Sequence, residues 1–187
     1  MKKNHFPLLM KYFAAATSFL TILFIWGYRL FSVDLFLSCA ISFGTTAYHF
    51  VMRLAVGSIV PKLTGYDFDY RHRWFQLRKW EPAFYQKLNI RHWKNALPTY
   101  APELYSLKEN TLHRIIQNTC GAEIVHEVIM VLSFLPLLTV PIFGAFPVFF
   151  ITSLLSSLFD SIFVIAQRYN RPRLVRIYEK QEAMAHE

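Results

Sequence analysis

Charge is scarce in this 187-residue chain: 17% of its residues are Asp, Glu, Lys or Arg, against roughly 25% in ordinary soluble domains. That deficit argues against a typical soluble enzyme. At 54% hydrophobic, the chain is also too apolar for disorder driven by low hydrophobicity. Acids are scarcer than bases, 12 against 20, which leaves a net charge of +8. Two cysteines give no disulfide framework, and Cys39 and Cys120 read as small packing residues. Six scattered glycines form no Gly-rich phosphate loop. No Gly-x-Ser-x-Gly nucleophile elbow occurs, nor the His-x4-Asp pair of common glycerolipid acyltransferases. No internal repeat or low-complexity tract is visible. The mean hydropathy of +0.27 is too low for a chain wholly in lipid, so two kinds of territory are expected.

The apolar residues fall in four long stretches, about 12–31, 35–60, 123–140 and 145–166. Each approaches the roughly 20 residues that cross a bilayer. Lys2, Lys3 and Lys11 precede the first, and the absence of a cleavage site after it reads as an uncleaved anchor. Pro136, Pro141 and Pro147 interrupt the last two stretches, which leaves a re-entrant hairpin as the alternative. Four crossings put 18 of the 20 Lys and Arg on one side. By the positive-inside rule, that side is cytoplasmic and holds both termini. The expected fold is an all-α integral membrane protein, one membrane domain over residues 1–187. It has about four transmembrane helices, an amphipathic cytoplasmic segment (61–122) between the second and third, and a cytoplasmic tail (167–187). The expected location is the cell membrane, multi-pass.

Segment 61–122 interleaves aromatics (Tyr66, Trp74, Phe75, Trp80, Trp93 among them) with bases such as Arg78, Lys79 and Lys94. An inner-leaflet amphipathic segment and a site for a phosphate-bearing or lipidic substrate draw on the same interfacial physics, so both stay open. Single-stranded nucleic acid also suits such interleaving, but four attached spans argue against that partner. Arg73–Lys79 and Ala83–Lys87 are expected to be helical. So is Leu107–Thr119, with Ser106 and Glu109 as a capping box.

Ionisable groups at membrane depth usually face the bundle interior and pair there. His49 and Arg53 share one helix face, although Arg53 is also within snorkelling reach of the headgroups. Asp160 lies deep in the fourth stretch, where either a partner (Arg53, His49 or His126) or protonation is expected. Glu123, His126 and Glu127 also share a face. One Glu-x-x-His is only part of a di-iron set, so no metal is expected. A carboxylate beside His126 instead suits a general base, and the plain alternative is a satisfied histidine at the membrane boundary.

The tail reads Gln167-Arg168-Tyr169-Asn170-Arg171-Pro172-Arg173-Leu174. Physically it is a basic juxtamembrane stop, with Asn170 capping and Pro172 opening a final helix. This string, Trp74-Phe75-x-x-Arg78-Lys79-Trp80, Trp93-Lys94-x-x-Leu97-Pro98 and Glu123-x-x-His126 together resemble the glycosyl-4,4′-diaponeurosporenoate acyltransferase family from about Trp74 to Leu174. The resemblance implies a membrane enzyme of staphyloxanthin-type carotenoid synthesis that esterifies a sugar hydroxyl of a glucosyl carotenoid. Acyl-CoA or acyl carrier protein would be the co-substrate, with no resident cofactor. The pair of spans over Tyr12–Val60 departs from the short N-terminal region associated with staphylococcal members, so no role carries over to His49 or Arg53.

On that chemistry His126, oriented by Glu123 or Glu127, is the expected base. Arg168, Asn170, Arg171 and Arg173 are expected at the donor phosphates or the developing oxyanion. Trp74, Arg78, Lys79, Trp80, Trp93 and Lys94 are expected around an interfacial acceptor. The expected partners are membrane lipids, the acyl donor and a lipid-linked or glycosylated hydrophobic acceptor. A noncatalytic membrane adaptor and a small transporter using His49, Arg53 and Asp160 are the competing classes.

Overall fold

Long apolar helical runs build this molecule. The computed structural model describes residues 5–65 and 67–185, so Lys2, Lys3 and Tyr66 lie outside the described residues. Helix makes up 81% of it, with no strand among the described residues. Helix α1 covers Phe6–Phe31, with Pro7 in its first turn. Helix α2 covers Asp34–Thr64. The short α3 (Glu81–Lys87) and α4 (Ile90–Trp93) follow. Then come α5 (Leu112–Leu132), α6 (Val140–Phe143) and α7 (Phe146–Ala185). Four helical stretches are long and apolar enough to cross a membrane: α1, α2, Leu112–Phe143 and α7.

The chain divides into two compact units, Met1–Ser58 with Val128–Asp160 and Ile59–Glu127 with Ser161–Glu187. In the first, α1 and α2 form an antiparallel hairpin. Ser32 takes the left-handed conformation at the turn, and its amide donates to Tyr28 O at 2.8 Å. Stacked Phe13–Phe50, Phe24–Phe43 and Phe31–Phe36 pairs, 5.4–5.8 Å between centroids, zip the hairpin closed. Gly27 permits the closest approach, since a Cβ there would meet the Phe36 ring at 2.8 Å. The opposite face of α1 exposes Phe19, Ile22, Trp26 and Leu30, as a lipid-facing surface requires.

Arg53 does not snorkel. Its Nη2 donates to Asp160 Oδ2 at 2.6 Å and to Ser156 Oγ at 2.8 Å, while Nε reaches the same carboxylate at 3.1 Å. Ser156 Oγ lies 2.8 Å from Ser133 Oγ, which ties α2, α7 and the turn just after α5 through polar groups. His49 is buried on the same face of α2, and neither ring nitrogen has a hydrogen-bond partner among the described residues.

The second unit packs Tyr70, Phe75, Ile116 and Cys120 against Leu174, Val175 and Tyr178. Three expectations change here. Arg73–Lys79 is a run of turns, because the carbonyls of Trp74, Phe75 and Gln76 face arginines of α7 instead of the amides four residues on. The helix expected from Leu107 starts at Leu112: Ser106 closes a local turn, and Thr111 Oγ1 caps by accepting the Arg114 amide at 3.2 Å. Pro172 lies inside a continuous α7, so neither it nor Asn170 starts a new helix. Interior proline costs about 3 kcal/mol or more, and the helix continues through it with Arg168 and Arg171 bonded to residues outside α7 on its N-terminal side. In the first unit, the third apolar stretch is interrupted after Leu132, as its prolines suggest, by a 3-10 turn (Leu135–Thr139) and α6, and Leu112–Phe143 as a whole stays long and apolar enough to cross a membrane.

Removing one partner of a buried ion pair costs about 3–5 kcal/mol, whereas well-packed apolar replacements of both are often neutral. Asp160→Ala should therefore sharply reduce the melting temperature of the detergent-solubilised protein, and Arg53→Met with Asp160→Leu should recover most of that loss.

Candidate active site

In the second unit, one buried charge network is assembled from three distant stretches. Glu123 on α5 is fully buried, Arg171 is 2% exposed and Arg168 is 8% exposed. Arg168 uses all its donors. Nε donates to Glu81 Oε1 (2.7 Å), Nη1 to Glu123 Oε1 (2.6 Å) and Trp74 O (2.8 Å), and Nη2 to Gln76 O (2.7 Å) and Glu81 Oε2 (3.0 Å). Arg171 donates to Phe75 O, Thr119 Oγ1 and Thr119 O, each at 3.0 Å, and ion-pairs with Glu123 Oε2. Its guanidinium also lies over the Phe75 ring at 5.1 Å. Two cations thus face two carboxylates, and the network is neutral as a whole.

That arrangement reassigns three expected site residues. Arg168 and Arg171 are not exposed arms for donor phosphates; their donors are committed to carboxylates and carbonyls. Both Glu123 oxygens are bound to arginines, so this residue anchors the network instead of orienting a base. Sequence reading missed Glu81, although a signal exists: it is the only acid between Asp69 and Glu103. Burial works to raise the Glu81 pKa, but bonds from Arg168 and the Arg78 amide hold it below the ordinary carboxylate range. Tyr85 OH donates to Glu81 Oε1 at 3.1 Å, and burial with that negative partner pushes its own pKa up.

Beside the network is a cavity of about 190 Å³, lined by Trp74, Arg78, Trp80, Glu81, Glu127 and Arg168. Trp74 Nε1 donates to Glu127 Oε2 at 2.9 Å, fixing the carboxylate and the indole together. Trp74 and Trp80 are more than half exposed. Arg78 forms no salt bridge among the described residues. His126 is not among the lining residues; its ring stacks on Phe163 at 4.7 Å, nearly parallel. Lys79 is exposed. Trp93 Nε1 donates to Leu88 O, and Lys94 Nζ to Asn170 Oδ1. Arg173 is exposed on α7. His49, Arg53 and Asp160 belong to the other unit. Among the described residues no cluster of three or more His, Cys, Asp or Glu has the arrangement of a metal site.

Glu123→Gln should leave two buried guanidiniums short of one counter-charge and lose about 3–5 kcal/mol, read as a lower midpoint in thermal unfolding. The Glu81 pKa is depressed in the folded state, so its contribution is complete above the unfolded carboxylate pKa. It disappears as pH falls through the folded value. Melting temperatures measured from pH 7 downwards should therefore drop at the acidic end, with a shallower drop in Glu81→Gln.

No curated protein and no solved structure matches this chain. A family model described as glycosyl-4,4′-diaponeurosporenoate acyltransferase matches residues 71–180, which contain the whole charge network and every residue lining the cavity. With more than half its length covered, the chain belongs to the glycosyl-4,4′-diaponeurosporenoate acyltransferase family.

Proposed function

We propose that this acyltransferase moves a fatty acyl group from an activated thioester to a sugar hydroxyl of a glycosylated, carotenoid-like lipid, and that the Trp74–Glu127 cavity is where the ester forms. The observation that carries this reading is the meeting of a fixed carboxylate, an arginine without a salt bridge and two exposed indoles in one cavity. Each suits one demand of the reaction. Trp74 and Trp80 present flat amphipathic faces to a sugar or polyene. The acceptor hydroxyl attacks the thioester carbonyl and passes its proton to Glu127. Arg78 stabilises the oxyanion of the tetrahedral intermediate. The carbon–sulfur bond then breaks, leaving the ester and a thiolate that takes up a proton.

In this reading Glu127, which lines the cavity, replaces His126 as the base. The buried network below holds the carbonyls of residues 74–76 in place and so positions Trp74. No resident cofactor takes part, and acyl-CoA or acyl carrier protein enters as co-substrate. The reading includes a cell-membrane location with cytoplasmic termini, supported by the one-sided distribution of 18 of 20 bases.

General-base catalysis is worth about 10²–10⁴-fold. Glu127→Gln should lower ester formation by at least about 100-fold, read by lipid mass spectrometry of cells supplied with the glycosylated acceptor. Protein abundance should not change. His126→Ala should retain most of the activity; the reverse pattern would make His126 the base.

A further inference from the structure

With Arg168 and Arg171 neutralised, a second group of donors in the same unit has no such counter-charge. Lys94, in the turn after α4, donates through Nζ to Asn170 Oδ1 on α7 and lies 5.3 Å from the centre of the Tyr169 ring. The Tyr169 ring packs edge-on against buried Tyr85, so the platform under Lys94 is itself anchored. Arg173 is three residues beyond Asn170 on α7, which puts it on the same helix face. Neither Lys94 nor Arg173 forms a salt bridge among the described residues. Burial, and then the like charge of Arg173, depress the Lys94 pKa, which agrees with two cations held near one another.

The hydrogen-bond count is lopsided. An ammonium has three N–H groups, and one of the three on Lys94 is used on Asn170. The Asn170 amide nitrogen donates to nothing among the described residues, and Arg173 adds a planar fork suited to phosphate. Donors and positive charge therefore converge without an acceptor to match them. We propose that Lys94, Asn170 and Arg173 form a phosphate subsite, which binds the phosphates of the acyl donor. This assignment rests on the acyl-transfer reading for the identity of the ligand, but the anion chemistry stands independently of it.

Binding of coenzyme A to the full-length protein in neutral phosphatidylcholine nanodiscs tests it without requiring turnover. Arg173→Ala and Lys94→Gln should each weaken coenzyme A binding by at least tenfold, with Lys94→Arg recovering part of the loss. In turnover, the same variants should raise KM for acyl-CoA with little change in kcat. A phosphate-free acyl thioester should be used as well as before. Anionic phosphatidylglycerol nanodiscs form the second arm. If the variants lose anionic-lipid binding but keep coenzyme A binding, the acyl-donor assignment is overturned and the phosphate held is that of a headgroup. Unchanged binding of both ligands overturns the proposal. So does an equal loss of activity with the phosphate-free thioester, which would mark these residues as structural. Failure of the wild-type protein to transfer acyl groups at all would overturn the acyl-transfer reading, while the binding arms would still judge the subsite.

Discussion

Neutralisation of buried charge at Glu123 is the constraint on which the second unit depends. A fully buried carboxylate is costly without opposite charge and hydrogen bonds, and here two arginines from α7 supply both. Those arginines bring their own demand for acceptors. Glu81 and Thr119 meet part of it, and the carbonyls of residues 74–76 meet the rest. An irregular loop is therefore the necessary counterpart of the buried arginines: a regular helix over 73–79 would have used those carbonyls internally. The loop conformation in turn sets where Trp74 stands relative to Glu127. Packing, ion pairing and candidate chemistry are linked through one carboxylate.

The first unit answers the same problem more sparingly. Arg53 and Asp160 cancel one another, with Ser156 and Ser133 completing the hydrogen bonds. A pair so fully engaged joins helices without exposing charge to lipid. That suits a structural tie better than a transport pathway, where the groups would have to exchange partners. His49 sits on the same helix face as a buried imidazole, and its chemistry is not used by the acyl-transfer reading.

Legibility differed sharply by residue. The four apolar stretches were readable because lipid demands about 20 uncharged residues at a time, a local property. The tail string and the Glu-x-x-His spacing also carried the family, which the match over residues 71–180 shows. Roles were less readable. Arg168 and Arg171 look like surface bases in a juxtamembrane tail, and only their partners 45 to 96 residues away turn them into buried anchors. The sequence made His126 the base and Glu127 a neighbour that orients it; in the structure only the Glu127 carboxylate lines the cavity.

Composition and order by themselves determined an all-helical chain with four segments long and apolar enough for a bilayer. They also determined the family, because both depend on local runs of residues. The tertiary structure decided which charges are spent and which remain available. Burial and pairing are properties of the distances between remote side chains, so +8 read from the sequence could not distinguish them. Once Arg168 and Arg171 are paired off inside the unit, the excess positive charge left near α7 includes Lys94 and Arg173, neither of which forms a salt bridge among the described residues.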